Sequence, residues 1–375
     1  MIWKIRNLKL RLIIWQNLNR FSFSQKNNLR SRLILADFVS RIDMLKFTFT
    51  MKVLITRKIP AKGIELLEKA GFEITSYLEK EALSQESLIK LCKTHDALLT
   101  VGAENLNAYF FEQCQNLKAI ALMRVGYDNV DLDAANHYKI PVSNTPDVLS
   151  KATSDVAFLL MIAASRNAFN MHKKIEKGDW GFFEPTANLG IELYGKTLGV
   201  FGLGRIGVEL AKKAKAAYGM KIIYHNRSKN KAAEELLDAT YVSFEKLLTI
   251  SDVISVHANL SDETKNIFNA QSFKQMKSTA LFINTARGGL HSEVDLINAL
   301  QDQVIWGAGL DVTNPEPMQK DNPLLNLRNV CVLPHIGSAT KETRDQMAVM
   351  AAENIIAALN GLRMPQIINE DVYIK

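Results

Sequence analysis

Three glycine-punctuated segments late in the chain carry its most reactive side chains: NTARGG at 284–289, GLDVTNPEP at 309–317 and LPHIGSAT at 333–340. Each follows a short apolar run, so each reads as the loop at the carboxyl end of a β-strand. In open parallel sheets ligands sit outside those ends, so the three loops should converge on one crevice. Arg287, Glu316 and His335 are then close enough to act together. Reduction of a 2-keto acid needs a cation to hold the carboxylate and polarise the ketone, an acid to protonate the new alkoxide, and a partner that keeps the acid charged and aimed. Arg287, His335 and Glu316 fit those roles in that order. Glu316 should raise the pKa of His335 by favouring imidazolium. A lone histidine at a strand end is more simply a core residue, but the arginine and the glutamate argue against that here.

A hydride donor has its own signature earlier in the chain. In KTLGVFGLGRIG, residues 196–207, a buried strand runs into Gly202, Gly204 and Gly207, and a helical run starts at once. This is the strand–turn–helix setting in which G-x-G-x-x-G marks a dinucleotide site. Gly202 permits the tight turn, Gly204 lets backbone approach a pyrophosphate, and Gly207 lets helix and strand pack closely. Around Arg205 and Ile206 the helix N-terminus offers free N–H groups. An acidic residue about 20 positions on would hold the ribose of NAD. Here Asn226 stands nineteen residues beyond Gly207, followed by Arg227 and Ser228. No carboxylate is there to repel a 2′-phosphate, and an Arg fork with a hydroxyl suits one, so NADP(H) is preferred and NAD(H) admitted.

The elements that must position these groups form two α/β series. Strands are expected at 52–56, 72–75, 97–101, 117–122 and 140–143, alternating with helices, as in a parallel sheet. A long apolar helix at 150–168 then crosses into a second series. Its six strands, at 198–201, 221–224, 253–256, 280–283, 305–310 and 330–333, fit the two-half dinucleotide fold. A final helix at 341–359 can return to cover the first unit. The expected division is 51–149 with 341–375 as the substrate domain and 150–340 as the NAD(P)-binding domain.

The length of 375 residues suggests two domains. The net charge of +7 resides in the first fifty residues, which carry ten Lys/Arg against Asp37 and Asp43; the other 325 residues sum to −1. The basic pI is therefore no argument for nucleic-acid binding. The basic leader reads as a targeting segment, a disordered extension or an over-extended reading frame, with Met51 as the favoured true start. Its apolar runs are too short to span a membrane. Cys92, Cys114 and Cys331 are widely spaced, with no metal-ligand cluster, so no metal is expected, buried apolar packing is their reading, and a reducing, cytoplasmic compartment fits. His95, His137 and His172 read as surface residues, and His225 and His257 as packing near the cofactor.

GLGRIG, NTARGG, GLDVTNPEP and LPHIGSAT, in this order and spacing, closely resemble the D-isomer-specific 2-hydroxyacid dehydrogenase family across 51–375. Within it the chain is most similar to the glyoxylate/hydroxypyruvate reductases, through LDVTNPEP, NPLL, LPHIGSATKETR and Asn226-Arg227-Ser228. The resemblance implies two Rossmann-like domains, the doubly wound dinucleotide-binding sheet being inserted into a flavodoxin-like substrate domain. It implies NADPH-preferring reduction of glyoxylate to glycolate and of hydroxypyruvate to D-glycerate, in a homodimer formed around 150–168. Arg287 would bind the substrate carboxylate and keto oxygen, with His335 as proton donor and Glu316 as its partner. Val125 and Gly126 would offer backbone N–H groups to the carboxylate; by themselves they read as a strand-end turn. Thr285, Ala286, Asp311 and Gly337 match cofactor-facing loops, although Asp311 also reads as a turn or capping residue. His291 lies where that family varies. Other 2-keto acids, such as 2-ketogluconate, and a non-enzymatic dinucleotide-sensing corepressor are the alternatives.

Overall fold

β1 (Lys52–Ile55) is buried through its last three residues and begins the first of two parallel sheets. In the computed structural model the described residues are 50–102 and 104–374; the basic leader expected at 1–50 falls outside them but for Thr50. Residues Lys52–Lys375 form one unit. β2 (Glu73–Ser76), β3 (Ala97–Thr100), β4 (Ala119–Leu122) and β5 (Val142–Ser143) complete the first sheet in the order β2-β1-β3-β4-β5, the flavodoxin-like order. β3 and β4 are buried along their whole length, as near-continuous apolar runs in parallel sheets must be when helices cover both faces.

The second sheet holds β6 (Thr197–Phe201), β7 (Lys221–His225), β8 (Thr240–Tyr241), β9 (Val253–Val256), β10 (Leu281–Asn284), β11 (Gly307–Leu310) and β12 (Val330–Val332). Its order is β12-β11-β10-β9-β6-β7-β8, with every pair parallel. The order reverses at β6, so the crevice for a ligand opens beyond Phe201, where the glycine loop begins. Six strands were expected and seven are present among the described residues. The additional β8 is two residues long, too short to leave a period in the sequence. β11 begins at Gly307 rather than 305, after the buried Ile305.

Two helices link these sheets. Ser150–Ser165 lies on β10 and β11, so close that a Cβ on Gly309 would sit 2.8 Å from that of Leu160. It was expected to run to 168. Instead Asn167 adopts φ 52° and a new helix starts at Ala168. Asparagine enters the left-handed region more readily than most residues, which lets the chain turn there. Lys341–Leu359 packs on the helix Ala61–Lys69 and on β3 and β4. Their close approach depends on Gly63, whose Cβ would meet the Ala348 carbonyl oxygen at 2.8 Å. Beyond it, Asn369 Oδ1 accepts from Val142 N–H at 2.8 Å and its Nδ2 donates to Ile140 O at 3.0 Å, stitching the C-terminal segment to β5. Among the described residues no helix is long and apolar enough to cross a membrane.

Candidate active site

His335 follows β12 and Glu316 follows β11, and the His335 Nδ1 and Glu316 Oε1 atoms are hydrogen-bonded. The carboxylate raises the imidazole pKa; burial opposes this, Asp311 adds to it, and Arg287 pulls the other way. With Nδ1 engaged, Nε2 is left to exchange a proton, and both side chains are partly open to solvent. His335 itself sits at φ 52°, a left-handed conformation that costs about 1–3 kcal/mol outside glycine and needs surrounding support. Asp311 supplies it. Its two carboxylate oxygens accept from Ile336 N–H at 2.8 Å and Gly337 N–H at 2.7 Å. Burial pushes the Asp311 carboxyl pKa up, against the pull of those two N–H groups. Asp311 and Gly337, expected on a cofactor-facing loop, are thus engaged with each other beneath the His335 turn.

Arg287 follows β10. Its Nη1 donates to its neighbour's carbonyl, Ala286 O, at 2.8 Å, and its Nε donates to Asp128 Oδ1 at 3.1 Å. Nη2 lies against Gly126: a Cβ there would be 1.7 Å from it. The structure therefore brings Arg287 onto the Val125–Gly126 turn. Neither N–H of this pair donates to another described residue, while their carbonyls accept from Asn144 Nδ2 at 2.8 Å and Arg124 Nε at 3.1 Å. The turn is held from beneath by Arg124, whose Nη2 donates to Asn129 Oδ1 at 2.9 Å and whose guanidinium lies 3.8 Å from Glu104. Burial lowers the Arg124 pKa to about 10, in spite of Glu104. Glu104 in turn accepts from Thr100 Oγ1, and its carbonyl from Asn129 Nδ2.

The glycine loop has a distinct geometry at each glycine. Gly202 takes φ 96°, and a Cβ would strike Ala258 N at 2.5 Å. A Cβ on Gly207 would meet Gly202 O at 2.8 Å and Val200 Cγ1 at 2.9 Å, so helix Arg205–Tyr218 lies directly on β6. At Gly204 nothing stands within 4 Å, and no side chain caps the helix that follows. The open backbone of Gly204 and the uncapped first turn, with Ile206 half-buried in it, fit a dinucleotide pyrophosphate. Arg205 is exposed and pairs with Asp147 at 2.5 Å. Asn226 Oδ1 accepts from Leu203 N–H at 2.7 Å, so its side chain braces the loop. Arg227 and Ser228 are exposed at the end of β7. Thr285 is buried beside His257, Oγ1 to Nδ1 3.4 Å, and burial holds the His257 pKa down to about 3. Ala286 is half-buried beside Arg287.

Several contributors were invisible in the sequence. Asp128 lies 159 positions from Arg287, and no local spacing reports such a pair. Asn284 was read only as part of a motif, yet it is fully buried and bonds the Arg287 loop twice. His95, read as a surface residue, is buried, with Nδ1 2.7 Å from Leu91 O. It lies just before the central strand β3. Cys92, Cys114 and Cys331 are free and buried. Among the described residues no cluster of three or more His, Cys, Asp or Glu could hold a metal ion.

These two parallel α/β sheets, with a glycine loop at the switch point and an Arg/Glu/His set at the strand ends, define a nucleotide-dependent oxidoreductase architecture. Residues 158–337 match the NAD-binding domain of the D-isomer specific 2-hydroxyacid dehydrogenases. A glyoxylate reductase of Thermococcus litoralis is 43% identical over 325 residues, covering 86% of this chain and 97% of that protein. The crystal structure of a glyoxylate reductase from Paecilomyes thermophila aligns with a TM-score of 0.76 at 32% identity, over 86% of this chain and 99% of that one. An NADPH-dependent glyoxylate/hydroxypyruvate reductase of Sinorhizobium meliloti, in complex with NADP and malonate, aligns with a TM-score of 0.76 at 28% identity, over 86% and 98%. The chain belongs to the D-isomer specific 2-hydroxyacid dehydrogenase family and is an NAD(P)-dependent dehydrogenase.

Proposed function

We propose that this enzyme is an NADPH-preferring reductase of small 2-keto acids, converting glyoxylate to glycolate and hydroxypyruvate to D-glycerate. The observation that carries the reading is the Glu316–His335 pair on the same crevice as Arg287, with Arg287 resting on the Val125–Gly126 turn. The similarity to glyoxylate reductases supports the substrate class. Gly202, Gly204, Arg205, Ile206 and Gly207 would cradle the cofactor pyrophosphate, with Thr285 and Ala286 beside the nicotinamide end. Asn226, Asp311 and Gly337 would act from beneath, by holding the loops that touch it. The exposed Arg227 and Ser228, with no acidic residue at position 226, support a 2′-phosphate there. Bound in that cradle, the reduced nicotinamide supplies the hydride.

Every other step belongs to the chain. The substrate carboxylate is held by Arg287 and by the N–H groups of Val125 and Gly126. The Arg287 guanidinium also draws electron density toward the ketone oxygen. As hydride reaches the carbonyl carbon, the C=O π pair moves to oxygen, and that oxygen takes the proton from His335 Nε2. Glu316 keeps the imidazolium charged until then and stabilises it through Nδ1. Residues 51–149 with 341–375 would form the substrate side and 150–340 the cofactor side. The exposed Trp180, Phe182 and Phe183, in the loop after helix Ala168–Glu176, support a homodimer. The buried free thiols fit a cytoplasmic setting. The test is His335→Ala: turnover of glyoxylate should fall by about 10²–10⁴-fold while NADPH binding persists. Normal turnover would remove His335 from the role of acid.

A further inference from the structure

Arg287 is held through Nε by Asp128, but what fixes the backbone that carries it lies deeper. Asn284, at the end of β10, clamps both sides of the Ala286–Arg287 peptide. Its Oδ1 accepts from Ala286 N–H at 2.9 Å, and its Nδ2 donates to Arg287 O at 2.9 Å. The peptide between them presents the Ala286 carbonyl to which Arg287 Nη1 is bonded. The direction of the guanidinium therefore follows the orientation of the Asn284 amide.

That amide has one more partner. His291 Nδ1 lies 3.1 Å from Asn284 Nδ2, and both residues are fully buried. The backbone bonds fix the amide's sense: its oxygen must face the Ala286 N–H and its NH₂ the Arg287 carbonyl. An NH₂ group only donates, so His291 Nδ1 accepts, and the ring is neutral with its proton on Nε2. Burial keeps it so, holding its pKa down to about 4. Nε2 has no hydrogen-bond partner among the described residues. The ring also meets Phe282 edge-on, with centroids 5.6 Å apart. Its backbone is pinned by a bridge to Phe268 and by the bond from Ser292 N–H to Phe268 O at 2.9 Å. A buried N–H without an acceptor is destabilising, so an apolar residue of similar size would suit the core better. What the imidazole provides that an apolar residue cannot is the acceptor for Asn284.

We infer that His291 is a positioning residue for Arg287: through Asn284 Nδ2 it fixes the amide that sets the Ala286–Arg287 peptide and so the aim of the guanidinium. The inference rests on the reading of Arg287 as the ligand of the substrate carboxylate. Replacing His291 by phenylalanine or leucine removes the acceptor and keeps apolar volume, leaving one Asn284 N–H buried and unpaired and its amide held by the two backbone bonds alone. Asparagine restores an acceptor near the Nδ1 position.

The experiment compares wild type with His291→Phe, His291→Leu and His291→Asn by glyoxylate kinetics with NADPH, oxalate binding to the NADPH-loaded enzyme, NADPH affinity and Tm. For phenylalanine and leucine, KM for glyoxylate and Kd for oxalate should rise together by about tenfold or more, as expected of a displaced carboxylate ligand. NADPH affinity should stay within about twofold and Tm within a few degrees of wild type, since the unpaired Nε2–H is exchanged for an unpaired Asn284 N–H. Asparagine should recover most of the oxalate affinity. Wild-type KM and oxalate affinity in both folded apolar variants would overturn the inference, as would an asparagine variant as impaired as they are. If wild type itself reduced no 2-keto acid, the functional reading would fail instead, and the oxalate titration would still report on Arg287.

Discussion

A methyl group added at Gly126 should disable the enzyme without unfolding it. Gly126 has no left-handed backbone, so alanine meets no conformational penalty there, but its Cβ would sit 1.7 Å from Arg287 Nη2 and 2.8 Å from Cζ. To regain an ordinary contact of 3.4 Å, the guanidinium must retreat by about 1.7 Å. It can do so, because Arg287 is long and partly exposed, at the expense of its pair with Asp128. A pair so placed contributes about 0.2–1 kcal/mol, which would change Tm by no more than a few degrees. Misplacing a reacting group by about 1 Å can lower turnover by about 10²-fold, or close to 2.7 kcal/mol of barrier. The catalytic effect therefore exceeds the structural one. Gly126→Ala should lose at least about 10²-fold in kcat/KM for glyoxylate, with NADPH affinity and the folded state retained. Kinetics, a cofactor titration and a thermal melt on one preparation suffice. A folded Gly126→Ala enzyme within about threefold of wild type would refute the proposed role of Arg287, as placed by this turn, in holding the substrate.

Other outcomes follow from the same geometry. Glu316→Gln removes the main cause of the raised His335 pKa, so the alkaline limb of the kcat/KM profile for reduction should move to lower pH; an unmoved limb would dissociate Glu316 from the acid. Because the folded His335 pKa lies above its ordinary value of 6.5, its stabilising share is fully present below that value and is lost as pH rises through the folded one. Wild-type Tm should therefore decline across that window, and Glu316→Gln should flatten the decline. Arg227→Ala should weaken NADPH by about tenfold or more and NADH little; equal losses for both would refute a 2′-phosphate at this position.

Much of the architecture was legible because parallel strands buried on both faces leave unbroken apolar runs, and because glycine has no substitute where backbone must touch backbone. Gly202 and Gly207 are such places. The candidate site residues were legible because they follow strands, where the chain must turn at the crevice. The rest depended on contacts that only folding creates. Asp128 reaches Arg287 from the other sheet's loops, and no periodicity encodes that. Asp311 could be read as a cofactor ligand or a turn residue; its two carboxylate bonds to Ile336 and Gly337, which support the left-handed His335, are contacts that no local pattern encodes. The turn at Asn167 and the two-residue β8 fall below the length at which a pattern can be recognised. His291 looked incidental because its significance lies in a tautomer, which the surrounding hydrogen bonds determine.

Steady-state reduction of a panel of 2-keto acids, run with NADPH and with NADH, tests the central claim most directly. The panel needs glyoxylate, hydroxypyruvate, pyruvate, a longer branched 2-keto acid and 2-ketogluconate. The site described here predicts the highest kcat/KM for glyoxylate and hydroxypyruvate, with NADPH ahead of NADH. Preference for 2-ketogluconate or a longer acid, NADH ahead of NADPH, or dinucleotide binding without turnover of any of them would contradict it.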